Sequence, residues 1–240
     1  MKMADKNLLC YITQTGSTQT KAGTGRPEID RPRLRELIYN SLAADTVEWN
    51  HKLKEVDQDL NLHFANGNIE GGFDLIVGAD GAWSRARARL TDVKPYYSGI
   101  GGYALSIPDA QNTQPELHGL VNHGSLFTWS DGKSIMAQQM GDGSINVGTW
   151  VVQPEDWQSK SEVGVHDAKA LKKSLREFYA GWDPRLVAFT QVADDHIVAR
   201  DLFMLPVGTR WDHVKGLTLL GDAAHLMYVP SHYQVVWALC

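Results

Sequence analysis

The sequence is poor in the features that most often betray a function. Its two cysteines, Cys10 and Cys240, stand near opposite ends of 240 residues and match neither zinc-ligand nor redox-pair spacing. The two readings are a terminal disulfide and a pair of reduced thiols in an intracellular chain, and the second is the expectation. No stretch reaches the about 20 apolar residues that span a bilayer, and MKMADKNLLCYITQTG lacks the charged-then-apolar order of a signal peptide. A cytoplasmic protein without a membrane span is therefore expected. Positive charge is not in excess: 23 Lys and Arg against 28 Asp and Glu leave a net −5. That balance excludes the electrostatic footprint of a nucleic-acid binder. There is no G-x-S-x-G turn for a hydrolase nucleophile. Asp222, His225 and His232 lie close in sequence but fit no zinc spacing, so no metal site is expected. The eight tryptophans are scattered and read as packing residues.

What is present is a globular composition, 43% hydrophobic and 21% charged, enough for a real core. LLCYI, residues 8–12, reads as a short strand, and residues 14–27 as a polar, Gly-rich loop. In RPEIDRPRLRELIYNSL, Asp30 is a plausible N-cap and Pro32 suits the first helical turn. Leu34, Leu37, Ile38 and Leu42 recur at helical spacing and predict one buried face. Two or three strands follow, with a turn at Asn66-Gly67. FDLIVGADG carries Phe73, Leu75, Ile76 and Val77 in a nearly continuous apolar run, the pattern of a strand covered on both faces. WSRARARL then reads as helical. Residues 93–153 hold five strand-like runs, GGYALSI, HGLVNH, SLFTWS, KSIMAQQM and SINVGTWVV, several separated by Asp-Gly turns, which predicts antiparallel sheet. A helix over 168–180 and a strand in HIVARDLFML lead to a second buried-strand pattern, GLTLLGDAAH. The fold class expected is α/β, or α+β in two domains. Residues 1–92 would be a partial nucleotide-binding domain, 93–205 an inserted β-rich domain and 206–240 the return to the first.

Two places carry chemistry. A buried strand that ends in Asp-Gly or Gly-Asp lets backbone approach a ligand. It also sets a carboxylate at the strand's carboxyl end, where sugar hydroxyls can donate to it. One such turn is weak evidence; two, at Asp80-Gly81 and Gly221-Asp222, are stronger.

IVGADG followed by Ser-Arg-x-Arg, then LTLLGDAAHLM downstream, resembles the FAD-dependent, single-component monooxygenases of the aromatic-hydroxylase type. RPEIDRPRLRELIYNSLAADTVEW is most similar to the branch of tetracycline-inactivating monooxygenases. The resemblance runs from about Arg26 to Met227 and implies a partial Rossmann-like FAD-binding domain with an inserted, mainly antiparallel substrate sheet. It implies that Arg31 contacts FAD, that Asp80 and Gly81 serve the FAD pyrophosphate region and NAD(P)H use, and that Asp222, after Gly221, binds the ribityl chain. Arg85 is a candidate for a phosphate or a solvated helix start. The resemblance further implies that NADPH or NADH reduces FAD and that O2 adds to give a hydroperoxyflavin. Oxygen then passes to a small aromatic or polycyclic substrate, and the protein supplies no catalytic side chain. SINVGTW and GIGGYAL are candidate pocket walls. A monomer is expected.

The sequence also departs from that pattern. No strand–G-x-G-x-x-G–helix unit is present, since Gly23-Thr-Gly25 continues as Arg-Pro-Glu. Beyond Met227, Tyr228-Val-Pro-Ser-His-Tyr replaces the Pro- and Gly-rich turn and helix that the resemblance implies. Both differences predict a truncated member, and a second reading is a catalytically silent fragment or small-ligand module.

Overall fold

The computed structural model describes residues 8–12, 18–22, 29–122 and 124–227. In chain order these form β1 (Leu8–Ile12), β2 (Thr18–Ala22), α1 (Arg31–Asn40), β3 (Leu53–Val56), β4 (Leu62–Phe64), β5 (Ile69–Glu70), β6 (Ile76–Gly78) and α2 (Arg87–Leu90). β7 (Tyr96–Ile107), α3 (Ala110–Thr113), α4 (Pro115–Val121), β8 (Ser125–Ser130), β9 (Lys133–Gln139) and β10 (Ile145–Val152) follow. The chain continues through α5 (Trp157–Lys160), α6 (Ala168–Phe178), α7 (Pro184–Val192), β11 (Val198–Met204), β12 (Leu217–Leu219) and α8 (Asp222–His225). Two compact units result, residues 1–41 with 99–201 and residues 42–98 with 202–240. The described residues before 42 group with the sheet-rich part.

The larger unit is built on a sheet of order β11-β7-β10-β9-β8-β1-β2. β7, β10, β9 and β8 pair antiparallel, while β1 joins β8 in parallel. Alternate residues of these strands, among them Leu105, Leu126, Ile135, Ile145 and Val147, form one core with Leu171, Leu175, Tyr179, Leu186 and Phe189 of the helical layer. The Tyr179 hydroxyl is satisfied by donating to the Ser134 carbonyl at 2.9 Å, and burial pushes its pKa up.

The smaller unit holds the β3-β4-β5 meander and the parallel pair β12-β6. Val56, Ile76, Ala86, Leu217, Leu219 and Ala223 form its core. Asp57 fixes the β3–β4 corner by accepting from the Asn61 amide at 2.8 Å, the Asn61 side chain at 3.0 Å and His63 Nε2 at 2.9 Å. Arg89 Nε donates to the Asp57 carbonyl at 3.1 Å and ties α2 to that corner. The Asn66-Gly67 turn lies between β4 and β5, as its sequence predicts.

Several expectations are corrected. HGLVNH is not a strand: Gln114-Pro115-Glu116 starts α4, with proline in its first turn and Asn122 closing it at φ +49°. Within the expected 14–27 loop, Thr18–Ala22 pairs with β1. The 184–192 helix was not expected, although Asp183 accepts from the Arg185 amide and Pro184 opens the helix. Helix α1 forms where expected, yet Leu34, Leu37 and Ile38 are exposed, as is Leu42 beyond it. Periodicity places side chains on one face, but burial also needs a second layer. Asp30 makes no cap bond to α1; its carboxylate accepts from the Gly141 amide at 2.9 Å. The run around Val77 is covered on one face only, with Leu75 58%, Val77 48% and Leu220 60% exposed. WSRARARL is helical only in its second half, from Arg87.

Candidate functional site

The parallel register of β6 and β12 pairs Leu217 with Ile76 and Leu219 with Gly78. Two strands running the same way in register must release their chains at the same edge. Gly78-Ala79-Asp80-Gly81 therefore emerges beside Leu220-Gly221-Asp222, and the Leu220 amide donates to the Gly78 carbonyl at 2.9 Å. The fold brings four of the five sequence-predicted site residues, Asp80, Gly81, Gly221 and Asp222, to one carboxyl edge of one unit. The fifth, Arg31, is exposed at the start of α1 in the other unit.

What locks the edge is a residue to which the sequence reading gave no role. Arg87 is only 3% exposed. Its guanidinium donates to the Ala223 carbonyl at 2.9 Å, more distantly to the Asp222 carbonyl at 3.5 Å, and to the Ala82 carbonyl at 2.6 Å. One rigid fork thus crosslinks the two turns. Burial pulls its pKa down and the Asp80 carboxylate opposes that shift. Arg85 is exposed. The signal was available: Ser84 lies three residues before Arg87, and its hydroxyl accepts from the Arg87 amide at 2.8 Å.

The two acids differ. Asp80 is turned to local use, accepting from the amides of Arg85 at 2.6 Å and Ala86 at 3.2 Å. Desolvation pushes its pKa up, but bonds from the Ser84 hydroxyl and those amides outweigh this and lower it. Asp222 is exposed and makes no capping bond to α8. The glycines differ likewise. A Cβ on Gly78 would meet Ala86 Cβ at 2.4 Å and Leu219 Cδ2 at 2.8 Å, so that glycine serves packing. Gly221 takes φ +60°, ψ −141° with open space where a Cβ would stand. Glycine adopts this backbone freely where other residues would be strained, and it leaves the edge open.

The larger unit carries a second feature. Strand registers place three rows of side chains on the sheet face opposite its core. They run Ser106–Asn146–Gln138–Ser125, Ala104–Gly148–Met136–Phe127 and Gly102–Trp150–Ser134–Trp129. A cavity of about 330 Å³ opens over them, lined among others by Ala104, Phe127, Met136, Asn146, Gly148 and Trp150. Both expected wall segments, GIGGYAL and SINVGTW, contribute to it.

One group with metal-ligand geometry occurs among the described residues, Glu48, His51 and Glu70. The group is partly exposed, with His51 Nε2 3.3 Å from Glu70 and 3.7 Å from Glu48. His232 and the segment after Met227, like Gly23 and Gly25, lie outside the described residues.

No protein-family model matches the chain. The chain is 31% identical over 276 aligned residues to monooxygenase penA of Penicillium thymicola, covering 94% of this chain and 61% of that protein. Its fold matches Klebsiella pneumoniae HpxO complexed with FAD and uric acid, with TM-score 0.72, 18% identity and coverage of 93% and 58%. The tetracycline destructase Tet(51) matches at TM-score 0.55 and 19% identity, with 93% and 58% covered. The relatives and neighbours thus include a monooxygenase, an FAD complex, a tetracycline destructase and a salicylate hydroxylase, and the chain shares the fold of the solved ones. It spans about three-fifths of their length, 61% of penA and 58% of HpxO.

Proposed function

We propose that the chain is part of an FAD-dependent monooxygenase that uses NADPH or NADH and O2 to hydroxylate a small aromatic or polycyclic molecule. The observation that carries this reading is the pair of glycine–acid turns, held side by side by Arg87, on a chain with the fold of FAD-binding monooxygenases. The described residues fit part of the cofactor. Gly221 leaves open space at the edge and Asp222 presents an exposed carboxylate, the acceptor that a hydroxyl-bearing ribityl chain needs. Gly81, at φ +83° with open space above it, borders the same edge. Asp80 acts as a positioning residue, ordering the turn that presents Gly81. Arg31 is the candidate donor to a cofactor phosphate, since its guanidinium presents a fork of N–H groups. When bound, FAD supplies the redox chemistry. The chain's own residues hold it, orient it and present the substrate. The sheet-rich unit takes the substrate role and the smaller unit the cofactor role, in a cytoplasmic monomer.

A second reading, a ligand-binding module without turnover, rests on the cavity over the β7–β10 face, which could hold a small molecule without redox chemistry. Oxygen uptake separates the two. The purified chain, given FAD, NADPH and an electron-rich phenol, is expected to consume O2 and yield a product heavier by one oxygen atom. Flavin binding without O2 uptake supports the module instead.

A further inference from the structure

The open face of β7–β10 has a composition that constrains the charge of its occupant. Its middle row, Ala104–Gly148–Met136–Phe127, is small and apolar at the centre. A Cβ on Gly148 would fall 2.6 Å from Trp150 Nε1. Only glycine there lets the indole lie back along β10, so ring and backbone together make a low, flat floor. The row on one side carries the amide of Asn146, both donor and acceptor. The row on the other side holds Ser134 between Trp150 and Trp129; Ser134 is 6% exposed and its hydroxyl has no hydrogen-bond partner. Ser134 does not line the cavity, so polar recognition falls to Asn146 and its row.

No Arg, Lys or His is among the described residues lining this cavity, and no Asp or Glu. The adjoining hollow, which shares Asn146, is lined by Asp30, Glu36 and Asp142 against one cation, Arg33, which is paired with Glu36. An aromatic carboxylate set on this floor would shed water without gaining a cation, and it would face an acidic border. A neutral ring with carbonyl, amide or phenol groups loses far less.

We propose that this face takes a planar, uncharged aromatic ring system bearing hydrogen-bonding groups, and that it discriminates against aromatic carboxylates. The proposal rests on the reading of this unit as the substrate-holding part of a monooxygenase. Trp150 and Gly148 set the plane, Asn146 reads the polar edge, and the lack of a cation among the described lining residues sets the charge.

Salicylamide and salicylate form a matched pair that differs chiefly in charge at neutral pH. Each is titrated into the 240-residue chain by tryptophan fluorescence, with Trp150→Phe assigning the signal. Salicylamide is expected to bind at least about tenfold more tightly. Asn146→Arg, at an exposed position that leaves the circular dichroism spectrum unchanged, is expected to narrow or invert that ratio. Equal or tighter binding of salicylate overturns the proposal, as does a ratio indifferent to Asn146→Arg or saturation by neither ligand. The O2-uptake assay is independent of this ratio. Its failure with the ratio intact removes the monooxygenase reading and leaves the selectivity standing.

Discussion

In the larger unit, α6 and α7 lay Leu171, Leu175, Leu186 and Phe189 against alternate residues of β8–β10, and the strands' inward side chains are almost wholly buried. In the smaller unit the parallel pair β6–β12 buries Ile76, Leu217 and Leu219 on one side, while Leu75, Val77 and Leu220 face outward. Both regions are apolar strands with period-2 burial. They differ in how many layers the chain lays over them. The larger unit packs helices over strands in one core. The smaller packs its core on one face of the β6–β12 pair and, among the described residues, leaves the other uncovered, with a buried arginine bonding the turns at its open edge. A packed core is costly to perturb almost anywhere. A thin unit should respond strongly at its polar lock and weakly on its bare face.

The largest effect is expected from Phe189→Ala, which empties a fully buried aromatic position. It should destabilise by about 4 kcal/mol, read by urea unfolding, with loss of hydrogen-exchange protection in α6 and α7. Arg87→Ala should come next at about 3 kcal/mol, because it leaves the Ala82 and Ala223 carbonyls without their charged donor. Its exchange signature should fall on β6 and β12; protection lost in α6 instead would break the comparison. Gly221→Ala forces a side chain into a positive-φ turn and should cost roughly 1–3 kcal/mol.

A smaller, pH-dependent effect centres on Asp57. The His63 hydrogen bond, helped by Asn61, holds its pKa far below the usual 3.8. A carboxylate with a depressed folded pKa stabilises fully above its unfolded value, and that contribution is lost as pH falls. Unfolding of the smaller unit should therefore grow easier below about pH 4, and Asp57→Asn should flatten that acid limb in pH-scanned melts. The smallest effect is expected from Leu75→Ser. On a bare face it should change stability by no more than about 0.5 kcal/mol, whereas a loss of about 2 kcal/mol or more would mean the face is covered.

Much of the architecture was legible. Strands β8, β9, β10 and β12 announce themselves by apolar alternation and Gly-Asp punctuation, and the two glycine–acid turns marked the edge where the fold brings them together. The missed elements carried readable signals that their hydrophobic patterns masked. HGLVNH looks like a strand until Pro115 and Glu116 are read as a helix start, and Asp183-Pro184 is such a start too. Other features were not legible in principle. The exposure of Leu34, Leu37 and Ile38 depends on whether another layer exists, which no local pattern encodes. Ser84 marks Arg87 as the start of α2, but residue type did not tell the guanidinium partners of Arg85, Arg87 and Arg89 apart. One is exposed, one crosslinks the turns at Ala82 and Ala223, and one holds the β3–β4 corner. Only the pairing of β6 with β12 sorts them.

The account turns on Asp222 facing a cofactor while Asp80 orders its own turn. Titrating FAD into the chain and into its Asp222→Ala and Asp80→Asn variants, with flavin fluorescence as the readout, tests this most directly. The account predicts saturable quenching by the parent chain, a dissociation constant raised at least about tenfold by Asp222→Ala, and a smaller shift for Asp80→Asn accompanied by a lower melting temperature. Unquenched flavin fluorescence, or an Asp222→Ala chain that binds FAD as the parent does, would contradict it.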